Sequence, residues 1–347
     1  MSVLQNDLFL RVLQGEDTAR APMWFMRQAG RYLPEYRALK EKHSFWQMAR
    51  TPELAAEVTL QPVRRYAIDA AILFQDIMTP LPPMGVEIEF NPGPVIGTPI
   101  RTAAQVEALR VPEIDEITPF VGEAIRLIRS DCRVPLIGFG GAPLTLATYL
   151  IEGSGSKDYA QFRRFLRAEP HAAHALLEKL TEVSIRYLTM QVRAGAQAIQ
   201  LFDSWAGLHD IPMYEAFSKP YNKRIFEALR PLGVPLLYLA VDCTHLYPTL
   251  GDLPCDAISI DWRTPIHVAR AQLGHGKVIQ GNLDPAALLG PPDSIRQAAS
   301  AVLRSGLGGP HVFNLGHGMM LHTPPDHVTV LVDTVLAFDR RAEHRPD

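Results

Sequence analysis

Residues 70–76 read Ala-Ala-Ile-Leu-Phe-Gln-Asp, five apolar residues in unbroken succession followed by an amide and a carboxylate. A strand with one wet face alternates apolar and polar residues, so the continuous run Ala70 to Phe74 predicts a strand buried on both faces, as in a parallel sheet covered by helices. Working outward, similar runs occur at Ala21 to Phe25, Pro135 to Phe139, Ala198 to Phe202, Pro235 to Ala240, Ala257 to Ile260, Lys277 to Gln280 and His311 to Leu315. Amphipathic stretches lie between most of them, at Ile117 to Arg129, Pro170 to Ala194, Met213 to Leu229 and Ser294 to Leu303. About eight strands alternating with helices predict an α/β fold, a single-domain (β/α)8 barrel of TIM type over residues 1–347. One interval departs from this rhythm: Val86 to Phe90 and Val95 to Ile100 flank Asn-Pro-Gly-Pro, a turn signal that predicts an inserted hairpin near residues 85–101.

Composition bounds the function. Of 347 residues, 47% are hydrophobic and 20% charged, which supplies a large core and argues against disorder. The formal net charge of -3 provides no global positive field for nucleic acid or an anionic membrane, so an anionic ligand needs a local basic site. No apolar run is long enough to span a bilayer, and the N-terminal stretch, with Asn6 and Asp7 inside it, does not read as a leader; the expectation is a cytoplasmic protein. Three cysteines, Cys132, Cys243 and Cys255, argue for reduced thiols in packing roles rather than a disulfide framework.

Polar residues cluster just past the predicted strand ends. Arg27, Asp76, Ser204, Asp261, Asn282 and His317 all lie within a few residues of one, and in a barrel these ends share the face where active sites are built. Polar residues also follow buried strands wherever a chain turns into a loop, so position alone identifies no chemistry. Arg27 and Arg31 are separated by Gln28, Ala29 and Gly30, small or neutral residues that let guanidinium forks approach a carboxylate or phosphate. Surface ion pairing is the usual fate of arginine, but Trp24, Phe25, Tyr32 and Leu33 around this pair fit a cavity better. Asp76 leaves a buried strand beside Phe74, and helix capping and a functional carboxylate explain it equally well from spacing alone. Tyr149 reads first as helix packing with a hydrogen-bonded tip. Ser204 lacks any His-Asp support for a nucleophilic triad.

Residues 22–37, Pro-Met-Trp-Phe-Met-Arg-Gln-Ala-Gly-Arg-Tyr-Leu-Pro-Glu-Tyr-Arg, resemble the N-terminal signature of the uroporphyrinogen decarboxylase family. Gly-Phe-Gly-Gly-Ala-Pro-Leu-Thr at 138–145, Ile-Gln-Gly-Asn-Leu-Asp-Pro at 279–285 and Asn-Leu-Gly-His-Gly at 314–318 resemble further signatures in the same order, with Phe-Gln-Asp at 74–76 between the first two. The resemblance implies cofactor-independent, stepwise decarboxylation of the acetate side chains of uroporphyrinogen III to give coproporphyrinogen III in haem biosynthesis. It implies a polyanionic tetrapyrrole substrate, no metal, and a homodimer. It assigns catalysis to Asp76, Arg27 and Tyr149, and substrate binding to these together with Gln28, Arg31, Phe139, Gly141, Phe202, Ser204 and His317. The proton donor stays open, because an arginine is a poor acid at neutral pH. Lys40 departs from the family, where arginine is common; charge is kept but the bidentate fork is not. Two alternatives are a non-catalytic tetrapyrrole-binding protein and a zinc-dependent corrinoid or thiol methyltransferase of the same superfamily. The second would need Cys243, His245 and Cys255 as ligands, in a Cys-x-His order opposite to that of those enzymes and with no later cysteine.

Overall fold

The computed structural model describes residues 4–90, 93–274 and 276–343. Seven of the eight apolar runs form strands of one parallel sheet: β1 (Ala71–Ile72), β4 (Leu136–Gly141), β5 (Ala198–Asp203), β6 (Leu236–Ala240), β7 (Ala257–Ser259), β8 (Val278–Leu283) and β9 (His311–Leu315), in the order β1-β4-β5-β6-β7-β8-β9. Every residue of these strands is buried, the polar Gln200, Gln280 and Asn314 among them. The remaining strands, β2 (Ile88–Phe90) and β3 (Pro94–Ile96), pair antiparallel with Ile88 opposite Ile96. Asn91 and Pro92 of the turn signal between them lie outside the described residues, as do Met1 to Val3 of the N-terminal stretch.

The sheet is curled. Gln280 of β8 donates through Nε2 to Gln200 Oε1 of β5 at 3.0 Å and to Ser259 Oγ of β7 at 2.5 Å, and its Oε1 accepts from Trp24 Nε1 at 2.8 Å. β5 and β8 are separated by two strands in the sheet order, so their side chains can meet only across a concave face. Outside, the long helices Pro119–Asp131, Pro170–Ala194, Lys219–Leu229, Pro292–Ser305 and Pro325–Ala337 cover the sheet with apolar stripes such as Ile125, Leu180, Phe226, Leu303 and Leu331, all buried. Met213 to Leu229 is not one helix as expected: Ile211–Phe217 and Lys219–Leu229 meet at Ser218, where Pro220 has no N–H to continue the ladder and restarts a helix in its first turn.

The eighth run, Ala21 to Phe25, forms no ladder. It makes a single parallel bridge, Met23 to Phe313 of β9, with Phe313 N donating to Pro22 O at 2.8 Å. On its other side Asp69, two residues before β1, takes the place of a strand neighbour: its backbone N donates to Met23 O at 2.8 Å, and its carboxylate accepts from Met23 N at 2.8 Å. A side chain standing in for a strand carbonyl explains why pairing stops at one residue. Asp69 is fully buried and is matched by a two-pronged Arg20 guanidinium at 2.7 and 2.6 Å, with Asn6 Nδ2 adding a bond at 2.6 Å. Removing one partner of such a pair leaves the other uncompensated. Arg20→Ala is therefore expected to cost about 3–5 kcal/mol in urea denaturation at neutral pH with the slope unchanged; a loss under about 1 kcal/mol would mean that the Asn6 and Met23 donors hold Asp69 unaided.

Candidate active site

The turn after Phe25 is built by Gln28. Its backbone N donates to Phe25 O at 2.8 Å, its Oε1 accepts from Phe25 N at 3.0 Å, and its Nε2 donates to Ala70 O at 3.1 Å. Gln28 is fully buried with its amide committed to backbone, so its side chain shapes the turn instead of facing the cleft. The turn holds Arg27 in the left-handed region at φ 63°. It is also clasped by the last strand: Met26 N donates to Asn314 Oδ1 at 3.1 Å and Met319 N to Met26 O at 2.9 Å.

This clasp explains the two glycines around His317. A Cβ on Gly316 would lie 2.4 Å from Trp262 N, and one on Gly318 would lie 2.4 Å from Arg27 Cδ. The backbone carrying His317 is thus pressed against the loop after β7 on one side and against the stem of Arg27 on the other. Arg27 itself is exposed and makes no ion pair or hydrogen bond among the described residues, which leaves its guanidinium available.

Asp76 sits past β1 in a tight turn. Its Oδ1 accepts from Met78 N at 2.9 Å, Thr79 N donates to its carbonyl at 3.0 Å, and Asp76 N donates to Thr79 Oγ1 at 3.3 Å. Oδ2 has no protein partner among the described residues. Burial pushes the carboxyl up to about 6, against the opposing pull of the Met78 N–H and the Arg27 charge. Tyr149 lies on the helix Pro143–Glu152; burial raises its phenol, and the Asp76 charge adds to the rise. Burial lowers the His317 imidazole, and Arg27 and then Arg263 lower it further, with Asp261 and Asp242 opposing. Arg27, Asp76, Tyr149 and His317, distant in sequence, therefore share one electrostatic neighbourhood.

Phe139 of β4 and Phe202 of β5 make an edge-to-face contact at 5.5 Å, both buried, and Gly141, paired with Phe202, is buried as well. Ser204 is half-buried and free of protein hydrogen bonds among the described residues. Arg31 is exposed, and no contact among the described residues ties it to the central group; Arg37 holds its backbone, donating to Arg31 O at 3.1 Å and Tyr32 O at 2.8 Å. Lys40 is exposed in the last turn of the helix Pro34–Lys40. Asp261 and Asn282 brace loops: Asp261 accepts from Asp242 N at 2.7 Å and Arg263 N at 2.9 Å, while Asn282 donates to Asp261 O at 2.8 Å and Thr264 O at 2.6 Å.

Three residues were not singled out by sequence. Trp205 places its ring 5.9 Å from that of Tyr149. Thr79 braces Asp76 as above. Asp203, between Phe202 and Ser204, is a buried carboxylate with side-chain donors from several elements. A strand-end aspartate looks the same in sequence whether buried or solvated, so only burial distinguishes it. Cys243 and Cys255 are buried, with Cys243 Sγ donating to Ala240 O at 3.4 Å, and His245 Nε2 bonds His209 O at 2.7 Å. Among the described residues no group of three or more His, Cys, Asp or Glu side chains is arranged to hold a metal ion.

Comparison with solved structures recovers the fold. A methyltransferase from Methanosarcina mazei superposes with a TM-score of 0.82 over 98% of this chain and all of that one, at 22% identity, a level that speaks for architecture alone. Sequence relatives are much nearer. The uroporphyrinogen decarboxylase of Geobacillus kaustophilus (strain HTA426) is 50% identical over 324 residues, 92% of this chain and 94% of its own. That of Geobacter metallireducens (strain ATCC 53774 / DSM 7210 / GS-15) is 45% identical over 333 residues, 95% of this chain and 98% of its own. The family model described as uroporphyrinogen decarboxylase (URO-D) matches residues 4–338, a span that includes Arg27, Asp76, Tyr149 and His317, and the chain belongs to that family.

Proposed function

We propose that this protein removes carbon dioxide stepwise from the acetate side chains of uroporphyrinogen III to give coproporphyrinogen III for haem biosynthesis, acting as a carboxy-lyase without a cofactor. The observation that carries the reading is Asp76, a carboxylate in a shielded turn with one oxygen capped by Met78 N–H and the other open, within the field of the uncommitted Arg27 guanidinium. The family membership supports it.

The chemistry needs little else from the protein. Protonation of a pyrrole ring carbon creates an iminium-like cation; the acetate C–C bond then breaks, its electrons flow into that cation, and carbon dioxide departs. The resulting exocyclic methylene takes up a proton and the ring carbon loses one, which leaves a methyl group. Asp76 binds the pyrrole N–H groups through its open oxygen and offsets the cation, an interaction strengthened by its water-poor surroundings. Tyr149 hydrogen-bonds Asp76 or a substrate acid. Arg27, Arg31 and His317 take the carboxylate side chains, Phe139 and Phe202 pack against the macrocycle beside Gly141 and Ser204, and Gln28 contributes by aiming Arg27.

The architecture around this site is, in this reading, one closed (β/α)8 barrel domain. Ala21 to Phe25 is its eighth member, supported by the bonds from Met23 to Asp69 and from Pro22 to Phe313. The β2–β3 pair is an insertion walling the cleft; Phe90 packs on Phe45 at 4.9 Å, and Phe45 on Phe74 at 5.5 Å, two residues from Asp76. The working form is a cytoplasmic homodimer, a proposal that rests on the family resemblance and, for the compartment, on three buried thiols.

Anaerobic incubation with uroporphyrinogen, followed by oxidation and separation by carboxyl number, is expected to show progressive loss down to the coproporphyrin level without added cofactor. Tight binding without loss would identify a carrier instead. Asp76→Asn should lower kcat by roughly a hundredfold or more while the circular dichroism spectrum is retained. With the Asp76 carboxyl near 6, the wild-type rate should rise from pH 5 to pH 7, and the variant should lack that limb. Stability runs the other way. The folded carboxyl titrates higher than the unfolded one, so the folded state binds the extra proton between about pH 4 and 6 and loses stability as pH rises through that window. Asp76→Asn should therefore match or exceed the wild-type Tm at pH 8, and a clearly lower Tm would contradict this account. Gly318→Ala, whose nearest neighbours are the Arg27 stem atoms, should reduce kcat/KM by about ten- to a hundredfold with little change in Tm.

A further inference from the structure

Asp203 is a buried charge that the proposed chemistry does not use. Its side chain is wholly shielded from solvent. Oδ1 accepts from Thr145 Oγ1 at 2.7 Å; Oδ2 accepts from Ser218 Oγ at 2.7 Å, Tyr238 OH at 2.8 Å and Asn222 Nδ2 at 3.2 Å. No lysine or arginine among the described residues pairs with it. A carboxylate in such a place is tolerable because four side chains donate to it, and well-packed neutral groups could join the same elements at lower cost. What the charge adds is short, directional, charge-assisted hydrogen bonds.

Those bonds lead to Tyr149. Thr145 lies on the helix Pro143–Glu152 one turn before Tyr149, so the two side chains occupy the same helix face. With its single proton given to Asp203, the Thr145 hydroxyl turns a lone pair toward Trp205 N, which donates to it at 3.3 Å. The Trp205 ring then meets the Tyr149 ring at 5.9 Å and the Tyr159 ring at 4.6 Å. Two routes from one carboxylate, along the helix and through the indole, end on the same phenol.

We propose that Asp203 is a positioning residue: by orienting Thr145 it holds Tyr149 in place beside Asp76. The proposal rests on the decarboxylase reading above. Asp203→Asn presents an NH2 where a donor already points, and so disturbs the aim of Thr145 without changing side-chain volume.

The test measures kcat, KM and Tm for Asp203→Asn, Thr145→Val and Thr145→Ser, and for Asp203→Asn and Thr145→Val each combined with Tyr149→Phe. The expected result is a kcat loss of about tenfold in Asp203→Asn and in Thr145→Val with KM within about twofold, and near wild-type kcat in Thr145→Ser, which keeps the hydroxyl. In the Tyr149→Phe background the additional loss should shrink below about threefold, because the group being positioned has been removed. Full multiplication of the losses, a change confined to KM, or an equal loss in Thr145→Ser would overturn the proposal. Should Asp203→Asn fail to fold, the Thr145 series decides alone. A wild-type protein that does not decarboxylate refutes the decarboxylase reading, whereas active wild type with multiplicative variants refutes only the role of Asp203.

Discussion

The fully buried Asp69 carboxylate fastens three things at once: the Arg20 guanidinium, the Asn6 amide and the backbone N–H of Met23. It does so at the seam where the N-terminal segment lies between β1 and β9, and where a regular ladder is missing. Everything past that seam depends on it. Met23 is held from one side by Asp69 and from the other by Phe313, and four residues on comes Arg27, at a left-handed backbone angle that a loose turn would not keep. The clasps by Asn314 and Met319 then register the turn against the last strand, which brings His317 to Arg27.

Three aspartates show how environment divides labour among identical side chains. Asp69 and Asp203 are fully buried, and each is saturated with donors. Asp76 is given one backbone donor and a distant cation, so its ionised form is poorly compensated and its proton affinity rises. A carboxylate left short of partners is available to a ligand's N–H groups; a satisfied one is not. The fold thus concentrates its electrostatic discomfort at one strand end.

Much of the strand pattern was legible because burial on both faces leaves a mark that needs no partner to be read: unbroken apolar runs such as Ala70 to Phe74 and Pro235 to Ala240. The glycines around His317 stand in the sequence, but what they approach, Trp262 and Arg27, is set by distant parts of the chain. The family resemblance places Gln28 among the binding residues, and only its bonds to Phe25 and Ala70, which local sequence does not show, reveal it as the frame of the turn. Asp203 and Asp69 escaped for the same reason. A buried charge is defined by donors brought from far along the chain, Tyr238 or Asn6 for example, and local sequence carries no trace of them. The split at Ser218 was visible in Pro220 but was overruled by amphipathic periodicity on both sides.

The hydrogen-bonded layer of Trp24, Gln280, Gln200 and Ser259 lies across the concave side of the sheet beneath the candidate site. Side chains from β5, β7, β8 and the Ala21 to Phe25 segment are joined there into one hydrogen-bonded layer, which fills the concave side with protein. Under the proposed function, a ring bearing several equivalent acetates must present each of them in turn to the one Asp76 carboxylate, and so must turn between steps. Partly converted rings are then natural escapees, and the ratio of turning to departure decides how many appear in solution.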